Sequence, residues 1–210
     1  MQLKMIGVVA ALVAAQHAAA ALTSQSITDA LDVITDYSMN ATTVLESATP
    51  SNHEDAIEKG MSEMRKLYVE VKESTAKMGR EPPAEGFSKS LQTDLCDTFR
   101  DCVEIEMRLL EAVIDKRTLI AKTSFLEPVR DFLGQFQGAV DTLASSIIRV
   151  LPTCQDGAKS DYEKLQKTLA EAVKAYGQIR RPAKEGKEDE KGDKKGKKGK
   201  KEKEKKEKKE

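Results

Sequence analysis

The side chains of this sequence that best suit nucleophilic or metal chemistry are three cysteines, Cys96, Cys102 and Cys154, and two histidines, His17 and His53. Ser-His-Asp and Cys-His sites need a histidine beside the nucleophile. His17 lies in an N-terminal segment that we expect to be removed, so His53 alone would have to serve, and we interpret it as an exposed residue in the first turn of a helix.

Sequence motifs for catalysis or metal binding are not found. No Gly-x-Ser-x-Gly turn surrounds a serine, no His-Glu-x-x-His occurs, and no closely spaced cysteine pair suggests zinc. No glycine-rich loop suitable for phosphate is found either. The sequence therefore predicts a protein without enzymatic activity, bound metal or cofactor.

Acidic pairs are the remaining candidates for general acid–base chemistry. They include Glu104/Glu106 and Asp94/Asp97. Because 33% of all residues are charged, carboxylates on helix surfaces are expected by chance. We interpret these four as solvent-exposed.

The first 20 residues have the pattern of a secretory signal peptide. Lys4 precedes an apolar run from residue 5 to 15, and small residues at 18–21 suit a signal peptidase. The run is too short to span about 30 Å of hydrocarbon, and no later stretch is long and apolar enough. We therefore expect a secreted protein without a transmembrane segment.

The C-terminal region, residues 180–210, consists mainly of Lys, Glu, Asp and Gly. It has sixteen Lys or Arg and nine Asp or Glu, whereas the whole chain is neutral, so an acidic body is followed by a basic tail. With almost no apolar surface to bury, the tail is predicted to be disordered. It could bind an anionic polymer, but it has no aromatic residues for stacking on bases, so nucleic acid is not an expected partner.

Residues 22–178 are predicted to form one all-α domain, an up-and-down bundle of about five amphipathic helices. Apolar residues recur there at intervals of three and four. Breaks follow at Pro50, Gly79 with Pro82-Pro83, near Thr123, and at Pro152. The stripes begin Ile27-Leu31-Ile34, Ile57-Met61-Met64-Tyr68, Phe87-Leu91-Leu95-Cys102-Ile105-Leu109, Phe125-Val129-Phe132-Phe136 and Tyr162-Leu165-Leu169.

Three helix starts have the spacing of a capping box, in which a hydroxyl and a glutamate three residues later satisfy each other's backbone amides. They begin at Ser51, Ser124 and Ser160. We expect the second and fourth helices to begin at Ser51 and Ser124, and the fifth to begin near Ser160.

One disulfide is expected in an exported chain with three cysteines. Cys96 and Cys102 are separated by about 9 Å of helical rise, which is too far for a disulfide, so Cys154 pairs with one of them. If the third and fourth helices form a hairpin turning near Thr123, Cys96 lies closer to the level of Cys154. We therefore favour Cys96–Cys154 and leave Cys102–Cys154 as the alternative.

Asn40 begins the sequence Asn-Ala-Thr, an N-glycosylation motif in a secreted protein. It lies about 100° around the helix from the stripe position Ala41, so it is expected to face solvent.

The apolar stripes are most simply a packed core. A second interpretation is a cavity or openable groove between helices for a lipid, since methionine side chains repack easily. The candidate lining residues are Ile34, Met61, Met64, Tyr68, Leu109, Phe132, Phe136 and Leu169.

Residues 119–177 carry a family resemblance. A helix ending in Leu151-Pro152 is followed by one closing on Ala172-Val173-x-x-Tyr176, and Asp32-Val33-Ile34-Thr35 lies upstream. This pattern resembles the fungal hydrophobic surface binding protein A and cell-wall galactomannoprotein family. The resemblance covers residues 22–178 and implies a secreted, non-enzymatic helical bundle, extracellular or in the cell wall. It also implies that the bundle adsorbs to hydrophobic surfaces or holds fatty acids between helices. The alternative is a secreted effector or inhibitor that binds another protein through a helix face.

Overall fold

The computed structural model describes residues 22–79 and 86–177. These residues form helices without any strand, which confirms the all-α prediction. The predicted signal peptide and tail, and residue 178 of the predicted domain, lie outside the described residues. The helices are α1 (Ser24–Glu46), α2 (His53–Met78), α3 (Lys89–Asp115), α4 (Arg117–Ile120), α5 (Leu126–Arg149) and α6 (Gln155–Gly177).

The five long helices match the five predicted from apolar spacing, and α4 is a single turn within the connection from α3 to α5. At the start of α3, the residues that are buried differ from those of the predicted apolar stripe. Leu91 is 43% exposed, whereas Phe99 and Val103, which were not in the predicted stripe, are buried. The buried face of α3 therefore runs through Gln92, Leu95 and Phe99 and leaves Leu91 at the surface.

The predicted capping boxes are wrong in their positions. The helix predicted from Ser51 begins at His53, with Asn52 at the N-cap, and the Asn52 Oδ1 accepts from the Thr49 amide instead. Phe125, not Ser124, is the N-cap of α5. In each case the turn before the helix uses local side-chain bonds that the motif spacing does not encode.

The start of α6 and the cap of α1 also differ from expectation. α6 begins at Gln155, five residues before the predicted Ser160. A capping box is instead present at α1, where Thr23 and Ser26 exchange side-chain-to-backbone bonds. Serine takes the role usually given to Glu or Gln in this motif, so the Ser/Thr-x-x-Glu/Gln spacing does not identify it.

The long helices form a closed ring in the spatial order α1, α2, α5, α6, α3. The expected hairpin of α3 with α5 is wrong, because the principal neighbours of α3 are α1 and α6. Five elements arranged in a ring leave an axis that only side chains can fill. This axis is where an interior ligand site would have to lie.

Contacts along the ring show that α3 runs parallel to both of its neighbours. Cys96 and Cys154 join the beginnings of α3 and α6, and Tyr176 and Val113 bond near their ends. Towards α1, Ser38 contacts Glu106 and the Lys116 Nζ contacts the end of α1. α2 and α5 are parallel as well, because the residues they bring together advance in the same direction, from Met61 with Phe132 to Thr75 with Thr142.

Candidate ligand-binding interior

A small cavity of about 30 Å³ lies on the axis of the ring, and all five long helices contribute to its wall. This volume is about one water molecule's share of the liquid. Most of the wall is apolar, and the one carboxyl group in it is that of Glu106. The wall consists of Leu31, Ile34, Val71, Phe99, Cys102, Val103, Glu106, Phe136, Val140, Leu143, Ala144, Ile147 and Leu165.

Glu106 is only 3% exposed, so the expectation that it is solvent-exposed is wrong. Its neighbours in the sequence explain the error. Glu104 is exposed, but position 106 lies one turn from Cys102 and Val103 and one turn from Leu109 and Leu110, in the centre of the buried face. The period of three and four, applied strictly through α3, identifies this carboxyl.

The polar contacts of the Glu106 carboxyl are incomplete. The Ser38 Oγ donates to Glu106 Oε1 at 2.5 Å, while Oε2 is buried with no hydrogen-bond partner among the described residues. Burial raises the pKa of Glu106 to about 8, and the Ser38 hydrogen bond acts in the opposite direction. The carboxyl is therefore mostly neutral at pH 7, which is the state that burial in an apolar wall favours.

Cys102 is the other titratable group in the cavity wall. It is a free thiol, and burial is the first cause that raises its pKa, followed by the charge of Glu106. Nucleophilic cysteines require the thiolate. Cys102 therefore acts as a small apolar side chain in the core.

The predicted lining residues are distributed over three places. Ile34 and Phe136 lie in the wall of the axial cavity. Met61, Tyr68 and Phe132 instead line a groove of about 420 Å³ at the surface between α2 and α5. The remaining three lie in the packed core and line neither space; these are Met64, Leu109 and Leu169.

The groove between α2 and α5 continues along the same pair of helices. A second hollow of about 360 Å³ shares Tyr68 and Gln135 with it and extends to Thr142. Val69, 53% exposed, adds apolar surface at the rim of the first. The α2–α5 contact is therefore less closely packed at the surface than the core beneath it.

The cysteine pairing favoured from the sequence, Cys96–Cys154, is present, with a Cα–Cα distance of 6.4 Å. The pairing was predicted correctly, but the hairpin of α3 and α5 from which it was predicted is absent. Cys154 lies just before α6, and it reaches Cys96 because α6 packs beside α3, not because α3 and α5 form a hairpin. Gln92 supports the same junction, since its Oε1 accepts from the Thr153 amide at 2.9 Å.

Other residues considered from the sequence lie at the surface. His53 is the first residue of α2 and is partly exposed, with Nδ1 3.1 Å from the Pro50 carbonyl. Asn40 is exposed on α1, in agreement with its expected direction. Among the described residues, no group of three or more His, Cys, Asp or Glu is placed to hold a metal. None of the described helices has the length and apolar content needed to cross a membrane.

No protein-family model and no curated protein matches this sequence. Its structure, however, resembles that of AFMP4P in complex with palmitic acid, with a TM-score of 0.65 at 14% identity, covering 73% of this chain and 99% of the other. Ligand-binding domain 1 of the Penicillium marneffei MP1 protein, complexed with arachidonic acids, has a TM-score of 0.62 at 14% identity, covering 72% and 96%.

Ligand-binding domain 2 of the same MP1 protein, also in complex with arachidonic acids, has a TM-score of 0.62 at 14% identity, and the match covers 73% of this chain and 94% of that domain. The three matches span almost the full length of the solved domains. The chain therefore shares the fold of these helical ligand-binding domains.

Proposed function

We propose that this protein binds a long-chain fatty acid, without catalysis, along the axis of its five-helix ring. The observation that carries the proposal is the combination of fold and wall. The chain has the fold of domains solved with palmitic and arachidonic acids, and its own axis holds an apolar cavity with one buried carboxyl.

The ring has to widen for this function. Ligand pockets commonly measure about 300–1,000 Å³, whereas the cavity is about 30 Å³. An acyl chain would therefore displace side chains at the axis and separate neighbouring helices. The α2–α5 side is the natural route, because it already has grooves lined by Met61, Tyr68 and Phe132.

We further propose that the protein acts outside the cell and is held at hydrophobic or anionic surfaces. The signal-like N-terminus, the Cys96–Cys154 disulfide and the exposed Asn40 motif all suit an oxidising, glycosylating export route. The basic residues of 180–210 would supply attraction to an anionic polymer of the cell wall.

Native mass spectrometry and lipid extraction of the secreted protein test the binding proposal directly. We expect a fatty acid to copurify, and the delipidated protein to take up palmitic acid at a defined stoichiometry. Ala144→Leu adds three carbons to the cavity wall and should weaken uptake at least tenfold. Ala170→Leu makes the same change at an exposed position of α6 and should leave uptake unchanged.

A second candidate function is binding of another protein through a helix face. It is favoured by the nearly filled interior and by the apolar surface around Val69. Under this function the delipidated protein takes up no palmitic acid, and Ala144→Leu has no effect on partner binding. Protein that purifies free of lipid and fails to bind palmitic or arachidonic acid would contradict the fatty-acid proposal.

A further inference from the structure

We propose that Glu106 anchors the polar end of the ligand, so that the ring selects an unesterified fatty acid whose carboxyl shares one proton with the Glu106 carboxyl. This inference rests on the proposed function and names the chemistry of its site. Neither the fold likeness nor the apolar stripes specifies a polar anchor. It follows from one side chain, its burial and its missing partner.

The geometry gives Glu106 an unused bonding site beside the cavity. The side chain is 3% exposed and belongs to the wall of the axial space. Its Oε2 has no partner among the described residues, although buried polar atoms are nearly always hydrogen-bonded. A ligand group that bonds this oxygen would remove the deficit.

Ser38 does not satisfy the carboxyl fully. Its Oγ lies 2.8 Å from the Ile34 carbonyl and 2.5 Å from Glu106 Oε1, but a hydroxyl has only one hydrogen to donate. When that hydrogen bonds Glu106 Oε1, the proton of the neutral carboxyl lies on Oε2, which has no partner among the described residues, and it can be donated to a ligand. That proton is present at neutral pH, since burial raises the pKa of Glu106 to about 8.

The residues of the cavity wall explain why the two carboxyl groups would share a proton instead of both being ionised. Apart from Glu106, the titratable group in the cavity wall is the Cys102 thiol of α3. The walls contributed by α1, α2, α5 and α6 carry no charged side chain, and Asp32 of α1 is close enough to act on Cys102. No cation of the wall would balance a second carboxylate.

A neutral Glu106 can donate to a fatty-acid carboxylate in a charge-assisted hydrogen bond, which is shorter and stronger than a neutral one. The proton comes from Glu106 and stays between the two carboxyl groups, so no other reactant is needed. When Glu106 ionises, two carboxylates would lie together and repel. An ester carbonyl accepts only the weaker neutral bond.

The test measures Kd for palmitic acid and methyl palmitate, both below their aggregation limits, from pH 6.5 to 9.5. Wild-type protein should prefer the acid, and its Kd for the acid should rise about tenfold per pH unit above pH 8. Glu106→Gln donates an N–H at every pH, so its profile should be flat. Glu106→Leu should lose at least tenfold in affinity for the acid but retain methyl palmitate.

Glu104→Leu is the matched control, because Glu104 is an exposed carboxylate two residues away on the same helix. It should behave as wild type. Circular dichroism at each pH checks that the protein remains folded. Equal Kd values and pH profiles for wild type, Glu106→Gln and Glu106→Leu would overturn the anchor, whereas failure of wild type to bind either lipid would overturn the proposed function instead.

Discussion

The two contacts that α3 makes with its parallel neighbours are held together in different ways. Towards α6, the Cys96–Cys154 disulfide lies at one end. At the other end, the Tyr176 hydroxyl donates to the Val113 carbonyl at 2.8 Å. Towards α1, the central polar pair is Ser38 and Glu106, and one oxygen of that pair has no partner.

This difference indicates where the ring can change. The α3–α6 contact is fixed covalently and its terminal polar groups are paired, so it should persist when a ligand enters. The α1–α3 contact has an incomplete polar pair beside the axial cavity, where a ligand group would improve the bonding. We therefore expect α3 and α6 to move as one unit, with rearrangement on the α1, α2 and α5 side.

Removing the disulfide of the α3–α6 contact should lower the free energy of unfolding more than any change at the α1–α3 contact. Replacing both Cys96 and Cys154 with serine frees a loop of 58 residues, and the chain-entropy model gives a loss of about 4 kcal/mol in the free energy of unfolding. Urea denaturation at pH 7 measures it. Cys102→Ala, which leaves the disulfide intact, should cost about 1 kcal/mol, and an equal loss in both variants would contradict a special role for the α3–α6 contact.

Glu106 should give the protein a pH-dependent stability. Its pKa in the folded protein is about 8, above the ordinary 4.5, so the folded state holds this proton between these values while the unfolded state releases it. The contribution to stability is therefore complete below pH 4.5 and is lost as pH rises towards 8, by up to about 1.4 kcal/mol per pH unit.

Urea denaturation of Glu106→Gln at pH 5.5, 6.5 and 7.5 measures this slope, since glutamine does not titrate. As pH rises, the wild-type protein should lose unfolding free energy relative to Glu106→Gln. Glu104→Gln, on the exposed side of α3, should follow wild type. A constant difference between wild type and Glu106→Gln would show that Glu106 has an ordinary pKa.

The terminal hydrogen bond of the α3–α6 contact should have a smaller effect. Tyr176→Phe removes the bond to the buried Val113 carbonyl and should lower the unfolding free energy by about 1 kcal/mol. Tyr162→Phe on the same helix is the comparison, because its partner Asp141 is partly exposed and water can replace the bond. A greater loss of unfolding free energy for Tyr162→Phe would mean that solvent access to the partner does not determine the cost of losing the hydrogen bond.

The sequence predicted the helices of this fold well because each has to bury one stripe. The apolar residues Ile27, Leu31, Ile34, Val129 and Phe136 recur at helical spacing, and all are buried. The order of the helices around the ring could not be predicted in the same way. Short connections favoured a hairpin of α3 and α5, but α3 and α5 each pack against α6 instead. An apolar stripe does not specify which helix covers it.

The candidate site was only partly predictable for a related reason. Ile34 and Phe136 were expected at the interior and line the cavity, whereas Met61 and Phe132, at equivalent stripe positions, line a surface groove. Glu106 was assigned to the solvent on the basis of residue type, although its position lies within the buried stripe. A charged residue whose spacing places it on the buried face of a helix is therefore a stronger indication of a functional site than its residue type alone suggests.

Lys116 should give the smallest effect and the most specific test of the α1–α3 contact. Its Nζ donates to the carbonyl oxygens of Glu46 and Ala48, at 2.8 and 2.9 Å, near the C-terminal end of α1. Lys116→Met keeps most of the apolar stem and removes both bonds together with a charge that favours a helix C-terminus. Lys116→Met should lower the unfolding free energy, measured by urea denaturation, by about 0.5–1 kcal/mol, and this loss should diminish in 1 M salt.

Lys122→Met, at an exposed position in the connection before α5, is the control and should be neutral. The size of the Lys116 effect decides how α1 is held. A loss near 0.5 kcal/mol leaves α1 free to shift along α3 when a ligand bonds Glu106. A loss as large as that of the disulfide would fix α1 as firmly as α6, and the widening of the ring would then have to occur between α2 and α5 alone.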